Sequence, residues 1–403
     1  MPTRTQVCAW IAGFGLVAPS LAVAQDRTER EVVELIVRDG PQAAAIRAAT
    51  EVTRREQLAR LAYPNPGVMY SREGAGFTEF LQVEQLLPIF GTRDTLSRAG
   101  VAATAAAEAE RDARLWMLRA DAIGAVARLA AEQARLEAAQ AQVREVERLI
   151  EILRIREREG EGARFDRLRA EQELREARQL VTSVAVAISD ARATLSAMLP
   201  PGITVTRVAT GPTPQQAVAP VETLMTRATT TRAELRALQR SAERTALESD
   251  AAHRARLPAP TLFGGLKWAD GDSGRERGGV FGLTVSVPLF DTGGREAARW
   301  SAERARIEAE RASIQLQIRS EIVRASETLA LRQAAASADQ ETAADELMRI
   351  AEVAYREGEV GILELLDAVR TASRARARSI DLRLEARLAQ IALERAVGDV
   401  LWP

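Results

Sequence analysis

Arg158-Glu159-Gly160-Glu161 returns late in the chain as Arg356-Glu357-Gly358-Glu359. In both places the glycine follows a very long proline-free run and precedes a shorter helical one. Further upstream, Leu86-Leu87-Pro88-Ile89-Phe90 has its counterpart in Ser286-Val287-Pro288-Leu289-Phe290. Each half therefore reads in one order: a strand pair, a proline, a long helix, a glycine turn and a return helix. Two halves of that shape suit the wall of a tube.

The helical reading rests on period. Between about Asp94 and Glu159 there is no proline, and Leu129, Leu136, Val143 and Ile150 fall at heptad spacing, with Val146 and Leu153 filling the stripe. At about 1.5 Å rise per residue this run predicts a helix of roughly 100 Å, longer than a single globular core. The matching run is Arg295 to Arg356, equally rich in alanine, arginine and glutamate. Its charges read first as a solvated face with pairs at four-residue spacing. Gly160 and Gly162, then Gly358 and Gly361, can take the left-handed backbone that ends a helix, so the chain is expected to reverse into Arg164 to Leu199 and Ile362 to Val397. Thr28 to Leu61 reads as one helix stopped by Pro64 and Pro66. Val221 to Arg256 is its second-half counterpart, ended by Pro258.

The strand reading rests on alternation. Gly67 to Glu73 and Phe77 to Leu87 form a hairpin around Gly74-Ala75-Gly76, with Leu81 and Val83 alternating with Gln82 and Glu84. In the second half Phe281, Leu283, Val285 and Val287 alternate with Gly282, Thr284 and Ser286, and the partner strand carries Leu262, Leu266 and Trp268 on one side. A half-buried sheet in a soluble domain reads the same way. An aromatic at a strand end beside the polar loop Ala269 to Gly279 instead suits a bilayer interface. Four strands leave open edges, which lipid does not tolerate, so on that reading several chains must pool their strands.

Composition narrows the setting. The 403 residues are 46% hydrophobic but only 4% aromatic, and 28% charged, closer to a long-helix protein than to an ordinary globule. A net charge of -1 offers no general attraction to nucleic acid. Residues 1–24 read as a signal peptide: Arg4, the apolar Val7 to Val17, and Ala22-Val23-Ala24 before Gln25. The only cysteine, Cys8, lies inside it, so the chain after cleavage has neither a disulfide nor a lipoprotein cysteine. No apolar run after Gln25 is long enough to span a bilayer as a helix. His253 is the only histidine, and the six methionines have no metal-ligand spacing, so neither an enzyme, a cofactor nor a metal site is expected. The expected organisation is a first repeat over 25–199 with its hairpin at 66–88, a Pro-rich linker over 200–220 on the outside of the tube, a second repeat over 221–398 with its hairpin at 260–290, and a tail over 399–403.

Three stretches carry a family resemblance. Arg232-Ala233-Glu234-Leu235 opens a helix that runs to Leu257-Pro258. Val287-Pro288-Leu289-Phe290-Asp291-Thr292-Gly293-Gly294-Arg295 follows the last strand. Tyr355-x-x-Gly358 precedes Leu363-Glu364-Leu365-Leu366-Asp367-Ala368. In this order the chain resembles the TolC-type outer-membrane efflux channels. Tyr63-Pro64-Asn65-Pro66 and the glutamine-and-glutamate strand before Pro88 further resemble the CzcC-like branch, whose members serve heavy-metal efflux.

The resemblance implies a mostly α fold with a small β part and an internal two-fold repeat. Long antiparallel helical hairpins would build an α-barrel in the periplasm, and each chain of a homotrimer would give four strands to one transmembrane β-barrel in the outer membrane of a Gram-negative bacterium. It implies a passive duct whose partners are a periplasmic adaptor, an inner-membrane pump and outer-membrane lipid. The tips Gly160, Glu161, Gly162 and Ala163, and Gly358, Glu359, Val360 and Gly361, would dock the adaptor. Glu364 and Asp367, with Asp166 after the first tip, occupy the family's acidic entrance positions, and in threefold rings they would favour cations. Acids near helix starts also simply complement the helix dipole, and that reading stays open. Tyr355 matches a gating tyrosine of some members. Val360 stands where those members carry an arginine, which leaves Arg356 or Arg164 as candidate replacements. A periplasmic coiled-coil adaptor or scaffold without a channel is the competing reading of the same heptads.

Overall fold

The computed structural model describes residues 25–74, 78–160, 163–209, 217–254, 256–271, 274–290, 292–337 and 340–402. The expected signal peptide, Ala75 and Gly76 of the first hairpin turn, and Glu161 and Gly162 of the first tip lie outside them.

Strand β1 (Gln25–Thr28) leads into α1 (Glu29–Asp39) through a capping box. Thr28 Oγ1 accepts from the Glu31 amide at 3.3 Å, and the Glu31 carboxylate accepts from the Thr28 amide at 2.9 Å. The expected single helix to Leu61 is in fact two, because Gly40 is extended at the end of α1 and Pro41 starts α2 (Pro41–Arg60). A residue before proline is pushed out of the helical region, and a Cβ at Gly40 would lie 2.6 Å from the Met198 carbonyl oxygen. Strands β2 (Gly67–Glu73) and β3 (Thr78–Leu86) precede α3 (Thr92–Glu159), a helix of 68 residues. It is followed by α4 (Arg164–Ser196).

The expected linker is not irregular throughout. Val205–Ala209 forms β4, which pairs in parallel with β1. Val205 and Val208 are buried there against α1, α3 and α4. The second half again divides its first helix, into α5 (Val221–Thr231) and α6 (Ala233–Arg254). The extended residue between them is Arg232, whose buried guanidinium donates to Glu321 and Glu234, both at 2.8 Å. Then follow β5 (Pro260–Gly271), β6 (Gly274–Val285), α7 (Gly294–Ser337), α8 (Gln340–Arg356) and α9 (Ile362–Val397).

Packing is distributed along the helices. One core joins α1, α3, α4 and β4, a second joins α5, α7 and α9, and a third lies where α3 and α4 meet α8 and α9. Buried carboxylates tie helices together between these cores. Arg60 Nη1 and Nη2 donate to the two Glu248 oxygens at 2.7 and 2.9 Å, linking α2 to α6, and the Glu248 side chain is only 4% exposed. Arg60→Ala strands that carboxylate without a partner. The partial exposure of Arg60 keeps the expected loss near about 2 kcal/mol, below the range for fully buried pairs. Thermal unfolding in detergent should show a lowered midpoint for Arg60→Ala, and Arg60→Met with Glu248→Met should recover most of it.

The chain exposes 25132 Å², whereas a compact monomer of its mass would expose roughly 15,000 Å². Much of the apolar excess lies on helices, including Leu316, Leu331, Leu347, Ile350 and Val353 along α7 and α8. Such surface on a helix calls for a neighbour.

Candidate functional site

Two regions of the molecule hold the residues that the sequence singles out. The first is the sheet β2-β3-β5-β6, antiparallel throughout, with β2 and β6 as open edges. Because directly opposed residues share a face, the register sorts the side chains. Val68 and Tyr70 of β2, Leu81 and Val83 of β3, Leu262, Leu266 and Trp268 of β5, and Phe281, Leu283 and Val285 of β6 all stand on one face. The sheet brings six of the seven sequence-selected residues together there. Val287, the seventh, lies past the end of β6 and is exposed. The other face is more polar, with Ser71, Gln82, Glu84, Thr261, Lys267, Gly282 and Thr284, but it also carries Met69, Phe80, Phe263 and Val280.

No helix among the described residues covers the apolar face. Phe281 is 89% exposed, and none of the three cores contains a residue of these four strands. Glycines let the strands close up on the opposite face. A Cβ on Gly265 would fall 2.7 Å from the Gln82 Cα and closer still to the Leu81 carbonyl oxygen, while the Phe263 ring fills the space above Gly282.

The second region is the pair of helix tips. Gly160 and Gly358 are left-handed, with φ of 78° and 79°, and each closes its long helix. At the second tip the Glu359 amide reaches back to the Ala354 carbonyl at 2.9 Å, a bond that satisfies a terminal carbonyl. Gly361 departs from expectation. It is extended rather than left-handed, at φ -82° and ψ 174°, and it starts α9 instead of ending α8. The two tips share one core, in which Leu149, Ile150 and Leu153 of α3 meet Leu365, Leu366 and Val369 of α9, with Val360 packed at its margin.

Tyr355 belongs to that core. It is 8% exposed, with the Arg156 guanidinium 5.1 Å from its ring centroid. Neither Arg356 nor Arg164 takes that place. Arg156 escaped sequence reasoning because it lies on the other hairpin, and only its position near the end of α3 hinted at it. Glu364 and Asp367 are both exposed on α9, three residues apart and so on one side of the helix. Asp166 is half-buried in the first turn of α4, where its amide donates to the Ala163 carbonyl at 3.0 Å. Ala163 and Glu359 are exposed.

Charge pairing stiffens the tips. Arg167 donates to Glu157 across the first turn at 2.5 Å and to Glu171 at 2.6 Å. The Arg167 hydrogen bond holds the Glu157 carboxyl below its ordinary range. A lowered carboxylate pKa means the tie is present above the unfolded value and is lost as pH falls through the folded one. Arg370, one turn beyond Asp367, donates to the buried Glu173 of α4 at 2.8 Å. That bond raises the guanidinium pKa, and the Asp367 charge adds to the effect. Among the described residues, no three His, Cys, Asp or Glu side chains converge as metal ligands, and no helix is long and apolar enough to cross a membrane.

Residues 224–399 match the family model described as outer membrane efflux protein. No curated protein matches the chain by sequence. Solved structures similar to it include a membrane protein from Pseudomonas aeruginosa, with 19% identity, a TM-score of 0.73, and coverage of 92% of this chain and 93% of that one. The outer-membrane channel OprN is similar at 20% identity and TM-score 0.72, covering 92% and 89%. The outer membrane protein VceC from Vibrio cholerae is similar at 20% identity and TM-score 0.68, covering 92% and 96%. At these identities the likeness is one of fold, and it extends over both halves of the chain.

Proposed function

We infer that this chain, a member of the TolC-type outer-membrane efflux channel family, is the exit duct of a tripartite efflux system, passing cargo outward without chemistry of its own. The observation that carries the reading is the four-stranded sheet with an uncovered apolar face and two open edges. Water does not stabilise such a sheet, whereas a bilayer covers the face and further copies complete the edges. Two copies would give eight strands, whose interior side chains fill, and three give twelve, enough to leave an aqueous lumen. Three is also an arrangement in which β6 of each chain meets β2 of the next antiparallel, and the exposed residues of α7 and α8 then pack against neighbouring helices.

Band height agrees with a bilayer. From the Pro260–Val285 row to the Leu266–Gly279 row is about 20 Å along the strands, or about 15 Å vertically at a tilt near 40°. An apolar band of about 25 Å is then completed by the exposed Ile89, Phe90, Val287, Leu289 and Phe290 at the strand-to-helix junctions.

In this arrangement the helices stand in the periplasm of a Gram-negative bacterium, and the Gly160 and Gly358 tips face the adaptor and its inner-membrane pump. Glu364 and Asp367, exposed on α9, form acidic rings at the entrance. Glu364→Ala with Asp367→Ala should lower cation preference and block by polyvalent cations. Unchanged ion selectivity in that double variant would return both residues to the dipole explanation. Heavy-metal cations are the cargo class proposed by the resemblance around Tyr63. The Tyr63 ring stacks with Arg93 at 3.8 Å and the Gln85 amide donates to the Pro64 carbonyl at 2.9 Å; as no three metal-ligand side chains converge among the described residues, cargo selection is assigned to the pump.

The test is extraction. A duct requires detergent, runs as a trimer and conducts ions across a planar bilayer. Release by osmotic shock as a soluble species would instead establish the scaffold reading.

A further inference from the structure

One row of the sheet breaks the apolar pattern on the outward face. Directly across the four strands stand Arg72, Glu79, Trp268 and Arg277, followed toward the tips by Asp270 and Arg275. They share the face of Tyr70, Leu81, Leu266 and Phe281 and lie immediately beyond it, at the end of the strands farthest from the helices. The Glu79 side chain, 18% exposed, accepts from Arg275 and lies 3.7 Å from Arg72 Nε, so it holds two guanidinium groups against the sheet. Arg277, opposite Trp268, is exposed and makes no ion pair among the described residues. Among the described residues, three arginines against two acids leave a positive excess on this face. Lys267 does not contribute, since it belongs to the opposite face, over the Phe80 ring at 5.5 Å.

We propose that Arg72, Arg275 and Arg277, beside Trp268, form a binding site for the phosphate groups of an anionic glycolipid in the membrane leaflet that surrounds the strand tips. The proposal rests on the lipid-facing reading of the sheet. A guanidinium presents paired N–H donors that match phosphate oxygens, and a tryptophan at the same level suits the boundary between acyl chains and head groups. The apolar rows directly below take the acyl chains of the same molecule. This continuity distinguishes a lipid from a soluble anion. Glu79 fixes Arg72 and Arg275 in place, which lowers the entropy lost on binding, and Arg277 supplies the group that has no ion pair among the described residues.

The experiment uses the full trimer in nanodiscs of phosphatidylcholine, alone or with a minor fraction of bis-phosphorylated lipid A or the same glycolipid without its phosphates. Retained lipid is read by native mass spectrometry and trimer dissociation by heating. The wild-type trimer should retain the phosphorylated glycolipid and dissociate at higher temperature with it, and inorganic phosphate should not displace it. Arg277→Gln, which leaves the Glu79 contacts intact, should weaken retention about tenfold, and Arg275→Gln with Arg277→Gln should abolish it while ion conductance persists. Arg30→Gln, on the exposed surface of α1, should change nothing. Equal retention of both glycolipids, displacement by inorganic phosphate, or retention unaffected by the double variant would overturn the site while the channel reading stands. A protein that neither inserts nor conducts in any of these lipids would overturn the channel reading, and the site with it.

Discussion

Phe281→Arg is expected to abolish assembly in the membrane, and Thr284→Arg, three residues away, is expected to leave it intact. The two positions lie on opposite faces of β6, Phe281 among the uncovered apolar residues and Thr284 opposite Thr261 on the polar face. An arginine near the middle of a barrel's lipid face costs about 2–4 kcal/mol, and in a threefold barrel the penalty is roughly 6–12 kcal/mol, comparable with the whole stability of a typical fold. On the lumen side the same charge stays in water and changes ion selectivity instead. Detergent-extracted trimer on a seminative gel, with planar-bilayer conductance for Thr284→Arg, separates the two. Equal tolerance of both substitutions would mean that neither face meets lipid.

The second large effect is expected at Gly265, from a single methyl group. In Gly265→Ala the new Cβ meets main-chain atoms of Leu81 and Gln82, with the Gln82 Cα at 2.7 Å, and main chain cannot swing aside as a flexible side chain would. β3 and β5 are the strands through which the two halves of the chain join in one sheet. Their separation would expose two further edges in each subunit. A loss on the order of 3 kcal/mol or more per chain follows, visible as a monomer that fails to withstand detergent and heat. Gly278→Ala is the control, because nothing lies within 4 Å of a Cβ there. It should assemble normally.

The helices were legible in the sequence where physics is local. Heptad spacing from Leu129 to Ile150 and an unbroken proline-free run require a long helix, and that run is α3. The alternation of Phe281, Leu283 and Val285 is equally local, since a strand face needs only a period of two. The less legible features depend on partners far away in sequence. Pro41 divides the first helix, but the Met198 carbonyl that leaves no room for a Cβ at Gly40 comes from a distant segment, and Val205 to Ala209 is a strand because β1 is there to pair with it. Arg156 covers Tyr355 only because two distant hairpins share a core. Val68 and Tyr70 joined the apolar face through the β2–β3 register, which no spacing within Gly67 to Glu73 reveals. At Gly361 one residue type served two backbone needs, since glycine both ends helices in the left-handed conformation and starts them in the extended one, and here it is extended.

Closure of one barrel by strands from three chains is tested most directly by trapping the edge strands. The sequence has a single cysteine, within the expected signal peptide, so introduced pairs report without background once it is removed. With Met69→Cys on β2 and, in turn, Glu276→Cys, Gly278→Cys or Val280→Cys on β6, all on the polar face, oxidation of whole membranes should link chains through at least one pair. Denaturing electrophoresis without reductant should then show a ladder that stops at three chains. Links confined within single chains, or a ladder running past three, would contradict the closed threefold barrel.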